Sequence, residues 1–289
     1  MTMKELLMDR KIVMTEGNEV TDQERARAKA ELQNTGEGSL NEADGYNCRR
    51  CKNRGYYAVV QFVEGFDVWD VFTKACECNK VRDSIRYFNH SGLKPLSEKY
   101  TFKNYTTDGR WQKVVKEKAE AFLKNGSAAW FFIGGQSGAG KTHICTAMTV
   151  ELLRRGHAAK YMLWRDEVTR LKACANDADA YAELMEELKT PAVLYIDDLF
   201  KTGKNEEGRR MRPTPADLNA AFELINYRYN QPSQVTIISS EMSLDDIMDI
   251  DEAIGGRIKE RAGEFVIEIA PDKEKNMRYR GTGEKQGER

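Results

Sequence analysis

The stretch that decides the fold is Gly135-Gln136-Ser137-Gly138-Ala139-Gly140-Lys141-Thr142, which has the pattern G-x-x-x-x-G-K-T. It stands between an apolar run, 130–133, and an amphipathic segment, which is the strand-to-helix context of a phosphate-binding loop. In such a loop backbone N–H groups surround phosphates, the lysine adds positive charge and the threonine hydroxyl binds Mg²⁺. We predict that these eight residues and His143 bind ATP. A chance glycine-rich turn is the competing interpretation.

A second acidic motif ends the apolar run 192–196, which is typical of a buried parallel strand. Ligands of open α/β sheets lie at the carboxyl ends of the strands, so Asp197 and Asp198 are expected beside the phosphate loop. We assign Asp197, with Thr142, to Mg²⁺, and Asp198 to polarising the water that attacks the γ-phosphate. The alternative is that the two aspartates cap the N-terminus of a helix.

Composition restricts the remaining classes of function. The chain has 289 residues, 40% hydrophobic and 31% charged, which is enough for one large core and a small additional module. A net charge of −1 neither requires nor excludes nucleic acid, so DNA has to contact a local basic patch. No signal-peptide core is present at residues 1–11, and no apolar run approaches the roughly 18 residues that span a bilayer. We therefore expect a cytoplasmic protein with no membrane partner.

Four of the six cysteines form a C-x-x-C and a C-x-C pair, and they are Cys48, Cys51, Cys76 and Cys78. Because disulfide frameworks are rare in the cytoplasm, this spacing predicts a closed, structural Cys₄ site for Zn²⁺. The β-rich stretch 56–71 between the pairs is predicted to form a hairpin that is too small for its own core, so metal binding would supply folding energy. Free or redox-active thiols are the alternative, and His90 is an additional candidate ligand.

Local composition divides the chain into four segments. Residues 1–45 form either a solvated tail or a partner-binding arm, with a helical stretch at 20–33. We place the zinc-binding module at 46–90, the ATPase domain at 91–270 and a polar tail at 271–289. Strand and helix patterns alternate from residue 128 onward, which predicts an α/β fold with one parallel sheet. Its five strands are expected at 130–133, 159–164, 192–198, 235–240 and 265–269.

Several motifs together carry a family resemblance. They are the phosphate loop, the acidic strand end, Ser239-Ser240-Glu241 after the fourth strand, the segment 255–261 and the preceding cysteine module. With these motifs the chain, over 46–280, resembles the AAA+ ATPases of the DnaC/DnaI helicase-loader group. The resemblance implies a AAA+ P-loop ATPase with a five-stranded parallel sheet and no C-terminal helical lid. It also implies an ATP-driven switch that loads a DnaB-type replicative helicase onto single-stranded DNA during replication initiation.

The resemblance assigns three further site residues. Ser240 or Glu241 matches the sensor 1 position, and Arg257 matches the arginine finger that acts in trans, which implies a homo-oligomer whose hydrolysis depends on assembly. Arg261 is the second candidate for the finger, and a helix-terminal salt bridge is the alternative role. Asp198 stands where many AAA+ proteins have Glu, and Glu241 where a neutral Asn is common, so turnover is expected to be slow.

DNA contact is predicted for the helix after Trp164, where related proteins insert a helix that touches single-stranded DNA. Its basic residues are Arg165, Arg170 and Lys172. The alternative is an amphipathic cover helix with Trp164 in the core. The loop 201–212 is also basic and is predicted either to meet phosphates or to stay solvated. Its basic residues are Lys201, Lys204, Arg209, Arg210 and Arg212.

Three other functions compete with the loader. A transposition-helper ATPase of the IstB type shares the AAA+ core, although such helpers usually lack a cysteine module. A P-loop metabolite kinase, from a different class, would need a lid and an acceptor pocket, and nothing after residue 269 resembles a lid. In a non-enzymatic version, ATP would serve only as an assembly ligand.

Overall fold

The computed structural model describes residues 20–90, 94–125, 130–203, 206–207 and 211–277. The chain divides into two compact units, Met1–Asp83 and Ser84–Arg289. The parts of the predicted arm and tail at 1–19 and 278–289 lie outside the described residues. Among the residues that are described, no helix has the length and apolar character needed to cross a bilayer.

The N-terminal unit begins with helix α1 (Asp22–Gln33) and a short helix α2 (Leu40–Asp44). Helix α1 starts at a capping box, in which Thr21 Oγ1 accepts the N–H of Glu24 at 3.2 Å and the Glu24 carboxylate accepts the N–H of Thr21 at 2.9 Å. Such a box satisfies two backbone donors that the first helical turn leaves unpaired. The helix therefore has a sequence-encoded start, as the charged stretch 20–33 predicts.

A β-hairpin follows, made of the antiparallel strands β1 (Tyr56–Val63) and β2 (Val68–Ala75). Asn34, at the end of α1, joins the helix to the hairpin through two hydrogen bonds with the backbone of Ala58, at 2.8 and 2.9 Å. The predicted hairpin is present, and its second strand extends beyond residue 71 to end directly before Cys76. The hairpin therefore holds the second cysteine pair next to the first.

The C-terminal unit alternates helices and strands. Three helices come before its first strand, and they are α3 (Cys78–His90), α4 (Lys94–Lys99) and α5 (Arg110–Asn125). The division between the units falls within α3. The elements that follow are β3 (Trp130–Gly135), α6 (Lys141–Arg154), β4 (Ala159–Leu163), α7 (Trp164–Ala173), α8 (Ala178–Lys189), β5 (Val193–Leu199), α9 (Pro215–Tyr229), β6 (Val235–Ser240), α10 (Leu244–Ile250), α11 (Glu252–Ala262) and β7 (Val266–Ile269).

The five strands β3 to β7 form one parallel sheet in the order β4-β5-β6-β3-β7, which confirms the predicted fold class. Parallel strands with helices on both faces are buried on both sides, which explains their near-continuous apolar sequences. One core cluster includes Phe131 and Ile144 of α6, and the other includes Phe132 and Leu224 of α9. Because the strands are parallel, the carboxyl ends of β3 and β5 lie at the same edge of the sheet, with β6 between them.

Candidate nucleotide-binding site

The phosphate loop connects β3 to α6 at the carboxyl edge of the sheet. Gly135 has φ of 118°, and a side chain there would collide with the backbone carbonyl of Ile269 on β7. Lys141 is buried, and its ammonium donates to the carbonyls of Gly135 and Gln136, both at 2.8 Å. Burial lowers the pKa of Lys141, although nearby carboxylates oppose this effect. The loop therefore holds a desolvated ammonium at the place where phosphates are expected.

Asp197 is a buried carboxylate that accepts hydrogen bonds from hydroxyl groups. Tyr195 donates at 2.7 Å, Ser239 at 2.5 Å and Thr142 at 3.2 Å. Tyr161 is a further donor at 3.2 Å. Burial raises the pKa of Asp197, while the hydrogen bonds from Ser239 and Tyr195 act in the opposite direction. These donors fix the orientation of the carboxylate against the phosphate loop.

Thr142 and Asp197 can be tested as Mg²⁺ ligands on their geometry. Their oxygens lie 3.2 Å apart, and neighbouring ligands of an octahedral Mg²⁺ ion, each about 2.1 Å from the metal, are separated by about 3 Å. A hydroxyl and a carboxylate are both ligand types that Mg²⁺ accepts. The pair therefore fits two adjacent positions around one ion. Both aspartates lie within β5, so the alternative that they cap a helix is excluded.

Asp198 lies beside Asp197 in an unusual backbone conformation. Its φ is 57°, and its N–H donates to Ser239 Oγ at 3.1 Å. The carboxylate lies 2.6 Å from the ammonium of Lys201, which is also 3.1 Å from Glu241. These three charged side chains line one cavity of about 250 Å³ together with Lys141 and neighbouring loop residues. Asp198 and Glu241, predicted separately, are thus brought together beside the phosphate loop.

The last two residues of β6, Ser239 and Ser240, point in different directions, which their identical side chains do not reveal in the sequence. Ser240 is buried, and its hydroxyl donates to the carbonyl of Leu199 at 2.8 Å and accepts the N–H of Met242 at 3.1 Å. It does not line the cavity, whereas Glu241 does. Because side chains alternate along a strand, Ser239 instead faces Asp197. Sequence reasoning missed Ser239, although this alternation was the signal that could have found it.

His143 packs among aromatic side chains that also line the cavity. Its ring stacks on Tyr100 at a centroid distance of 4.7 Å and meets Tyr105 edge-on at 5.2 Å, and its Nε2 lies 3.0 Å from the carbonyl oxygen of Thr101. Burial lowers the pKa of His143, and the hydrogen bond with Thr101 opposes that shift. Tyr100, Tyr105 and Met277 line the cavity and offer flat or apolar surfaces suited to a nucleotide base.

The chain after β7 is tied to the phosphate loop. The side chain of Gln136 donates to the carbonyl of Asp272 at 2.8 Å and accepts its N–H at 2.6 Å. Further along, the N–H of Met277 donates to the carbonyl of Gly138 at 3.0 Å. Between β7 and Met277 the described residues form one 3₁₀ turn, Lys273–Lys275, and no helical lid. This segment lies against the phosphate loop at Gln136 and Gly138.

The two arginine-finger candidates lie on α11, outside the lining of the cavity. Arg257 donates to Asn226 Oδ1 at 3.1 Å and lies over the rings of Phe222 and Tyr229. Arg261 lies over Trp130, near the first residue of β3 and therefore toward the amino edge of the sheet. Both arginines are half-buried, and neither lines the cavity of its own chain, so the assignment of Arg257 as the finger stays a prediction.

Helix α7 has an apolar face in the core and a basic face in solvent, so it combines features of the two interpretations made from the sequence. Trp164 is buried and meets Phe200 edge-on at a centroid distance of 5.4 Å, so it belongs to the core. The three basic residues are exposed, with Arg170 2.9 Å from Glu167 and Lys172 2.5 Å from Asp217. In the basic loop, Arg212 is exposed and Lys201 lies in the cavity. Lys204, Arg209 and Arg210 lie outside the described residues.

The four predicted zinc ligands form one cluster in the N-terminal unit. The sulfurs of Cys48 and Cys76 lie 3.8 Å apart, those of Cys51 and Cys78 lie 3.5 Å apart, and all four fall within 4.8 Å of one another. A tetrahedral Zn²⁺ ion with Zn–S bonds of about 2.3 Å separates its sulfurs by about 3.8 Å, so the cluster fits this metal. His90 instead pairs with the carbonyl of Arg86, one turn earlier in α3.

The surroundings of the cluster act differently on its thiols: burial raises the pKa of Cys76 and Cys78, whereas the pKa of Cys51 is lowered. Burial acts to raise the pKa of Cys51, but the Gly55 N–H and the neighbouring thiols lower it to about 7. Arg82 is buried next to the cluster and donates to Asp44 at 2.6 and 2.7 Å. Burial alone lowers the pKa of Arg82, yet its hydrogen bonds to Asp44 and Cys78 raise it overall. This guanidinium, which sequence reasoning missed, offsets negative charge on the sulfurs.

Comparison with known proteins identifies relatives of the chain. The profile of the family described as IstB-like ATP binding protein matches residues 73–257. The phage-like element PBSX protein XkdC of Bacillus subtilis strain 168 is 30% identical over 237 residues, which cover 79% of this chain and 84% of XkdC. The replicative helicase loader DnaC of Escherichia coli strain K12 is 29% identical over 124 residues, which cover 42% of this chain and 51% of DnaC.

A crystal structure of the DnaC helicase loader aligns with 61% of this chain and 99% of that chain, at 19% identity and a TM-score of 0.49. The matched family segment contains the phosphate loop, Asp198, which lines the same cavity as the loop, and Asp197, which lies 3.2 Å from Thr142. The predicted resemblance to DnaC-type ATPases is confirmed by the family match and by the identity to DnaC. Because the profile matches well over half of its residues, this chain belongs to the family of IstB-like ATP-binding proteins.

Proposed function

We propose that this protein is an ATP-dependent loader of a DnaB-type replicative helicase onto single-stranded DNA during replication initiation, with ATP binding and hydrolysis as the switch. The observation that carries the proposal is the match to a replicative helicase loader in a chain whose phosphate loop and acidic strand end meet in one cavity. The fit of the cysteine cluster to zinc supports an additional module beyond the ATPase core.

In the proposed hydrolysis, Asp198 accepts a hydrogen bond from water and takes up its proton as the oxygen attacks the γ-phosphorus. The bond to the β-phosphate oxygen breaks, and ADP and phosphate leave. Lys141 and the N–H groups of the loop hold the phosphates in place, and Thr142 and Asp197 would hold Mg²⁺. A bound Mg²⁺ ion supplies positive charge that neutralises the phosphate oxygens.

Assembly completes the proposed site. Arg257 of one subunit would reach the γ-phosphate in the next subunit of a homo-oligomer and stabilise charge in the transition state. Hydrolysis by an isolated subunit would then be slow, because its own cavity contains no arginine among the lining residues that the structure describes. The oligomer would act as a switch whose state depends on both nucleotide and neighbours.

Two surfaces are assigned to partners. The arm, 1–45, and the zinc-binding module, 46–90, are proposed to bind the helicase. Arg165, Arg170 and Lys172 on α7 are proposed to contact the phosphates of single-stranded DNA. Their exposure supports this role, while the burial of Trp164 removes that ring from base stacking.

The test is complex formation with the replicative helicase of the same host, followed by size exclusion with mass detection, with and without ATP. We expect a stable complex whose mass corresponds to several copies of this chain on one helicase ring, and we expect ATP to change its stability. Lys141→Ala, which removes the loop ammonium, should abolish the response to ATP while leaving the zinc content unchanged. Absence of a complex in both nucleotide states, with an active helicase, would contradict the proposal.

A transposition-helper ATPase is the second candidate, and the IstB-like family match favours it. Such a helper would act without the helicase and would require a transposase as its partner. The discriminating measurement is binding to duplex compared with single-stranded DNA in the presence of ATP. A strong, ATP-dependent preference for duplex DNA together with no helicase complex would support the helper.

A further inference from the structure

Lys201 occupies a fixed place in the cavity rather than in the solvated basic loop. Asp198 and Phe200 both have φ of 57°, which turns the chain back toward the cavity after β5. Phe200 is buried against Trp164, and the N–H of Lys201 donates to the carbonyl of Asp198 at 2.9 Å. A bulky residue in this backbone region is strained and persists only where its surroundings hold it. The turn therefore fixes the backbone of Lys201 beside the cavity, and its side chain enters the cavity from there.

The Lys201 ammonium bridges two carboxylates that the proposed chemistry needs. It lies 2.6 Å from Asp198 Oδ2 and 3.1 Å from Glu241 Oε1, and all three groups line the same cavity as Lys141 and Thr142. Burial alone lowers the pKa of Lys201, but its hydrogen bonds to Asp198 and Glu241 and their charges raise it overall. The side chain is 39% exposed, so it is charged and has room to move.

We propose that Lys201 recognises the terminal phosphate, bridging Asp198 and Glu241 while that phosphate is absent and binding it when a nucleoside triphosphate enters the cavity. This inference rests on the role given to Asp198 in the proposed function. The exchange releases Asp198 to bind the attacking water at the time when a γ-phosphate is present. No covalent bond changes in this step, because one ammonium only exchanges its ionic partners.

The charges of the ligands give this exchange its selectivity. A γ-phosphate brings additional negative charge and oxygens that accept charge-assisted hydrogen bonds, so it competes with two carboxylates for the ammonium. A diphosphate ends one phosphate earlier and leaves the ammonium with Asp198 and Glu241. Lys141 is held by the carbonyls of the loop and serves the phosphates that both nucleotides share. Lys201 should therefore distinguish triphosphate from diphosphate.

The experiment compares calorimetric affinities for ADP and for a non-hydrolysable ATP analogue, both with Mg²⁺, in the full-length protein. We expect Lys201→Met to weaken binding of the analogue by about tenfold or more while changing ADP affinity by less than about twofold. Lys201→Arg should restore most of the lost affinity. The matched control is Lys189→Met, because Lys189 also lies between two carboxylates, at 2.7 Å from Glu223 and 4.0 Å from Glu186, but outside the cavity lining.

A second comparison separates phosphate binding from simple neutralisation of the carboxylates. In the background Asp198→Asn with Glu241→Gln, no carboxylate at these positions is left to repel the γ-phosphate. If Lys201 binds that phosphate, Lys201→Met should still weaken the analogue by about tenfold in this background. The proposal would be overturned if Lys201→Met no longer weakened binding of the analogue in this background, or if it weakened ADP and the analogue equally. Lys201 would then serve only to neutralise the two carboxylates.

Failure here can be told apart from failure of the loader function. The nucleotide affinities need neither helicase nor DNA, so a missing helicase complex would leave this result unchanged. Conversely, a helicase complex that responds to ATP, combined with equal losses for ADP and the analogue, would keep the loader and remove the role of Lys201. Wild-type protein that binds neither nucleotide would overturn this inference directly.

Discussion

The hydroxyl of Thr142 lies 3.2 Å from Oδ1 of Asp197, although the two residues are 55 positions apart in the chain. The sheet order explains the approach, since only β6 separates the phosphate-loop strand β3 from β5. This contact joins the two motifs that the sequence identifies separately.

Asp198→Asn should reduce ATP hydrolysis by at least about 100-fold, because an amide cannot take up the proton of the attacking water. The variant should still bind ATP, since the loop and Lys141 are unchanged. Steady-state phosphate release and calorimetric ATP binding check the two halves of this prediction. Hydrolysis at the wild-type rate would remove Asp198 from the chemistry, and no hydrolysis in wild-type protein would favour ATP as an assembly ligand.

Tyr195→Phe should lower the free energy of unfolding by about 1.5–3 kcal/mol, because it removes a hydrogen-bond donor from the buried carboxylate of Asp197. Tyr181→Phe is the matched control, since Tyr181 also donates to a carboxylate, Glu223, at 2.9 Å, but in a half-buried place outside the cavity lining. Urea unfolding followed by circular dichroism measures both variants. Equal losses in the free energy of unfolding would contradict the prediction, because the hydrogen bond to Asp197 would then stabilise the protein no more than the half-buried one to Glu223.

The purified protein should contain one Zn²⁺ per chain, and Cys51→Ser should lose it, because the cluster needs four thiolates to close a tetrahedron. Mass spectrometry of metals measures the content. Cys174→Ser serves as the control, since Cys174 lies outside the cluster. Loss of zinc should expose the cysteine module to limited proteolysis while ATP binding persists. If the folded wild-type protein is purified with reduced thiols and without any bound metal, the result would favour the alternative of free thiols.

Arg170→Ala combined with Lys172→Ala should weaken single-stranded DNA binding and flatten its salt dependence. Two lost phosphate contacts reduce the slope of log K against log salt by about 1.4. The matched control is Lys113→Ala with Lys124→Ala, which removes the same charge from exposed positions on α5. Fluorescence anisotropy across a salt series provides both affinity and slope. An unchanged slope would exclude α7 from the DNA surface.

The elements that sequence predicts best are those with strong local patterns. The phosphate loop, the acidic end of β5 and the cysteine pairs each carry their chemistry within a few adjacent residues, and the structure brings the members of each set together. The five strands were predictable because burial on both faces gives continuous apolar runs. Their order in the sheet was not predicted, because it depends on pairing between distant segments and leaves no local pattern.

The residues that were missed act through contacts between distant segments. Ser239 is recognisable only once β6 lies beside β5, and Arg82 only once the cysteines surround a common centre. For Lys201 the sequence left contact with phosphates and solvation as alternatives, because the strained turn at Phe200, which brings it to the cavity, leaves no mark in the sequence. Sequence gives the chemistry of each motif, while the fold decides which side chains share a cavity.

The most direct test of the loader function is deposition of the replicative helicase on closed circular single-stranded DNA. Unwinding of a fluorescent oligonucleotide annealed to the circle reports each helicase that has been loaded, since a closed ring cannot thread onto a circle. We predict that wild-type protein with ATP raises the unwinding rate well above that of helicase alone, and that Lys141→Ala does not. Equal unwinding with and without the wild-type protein, by a helicase that unwinds forked linear DNA, would contradict the loader function.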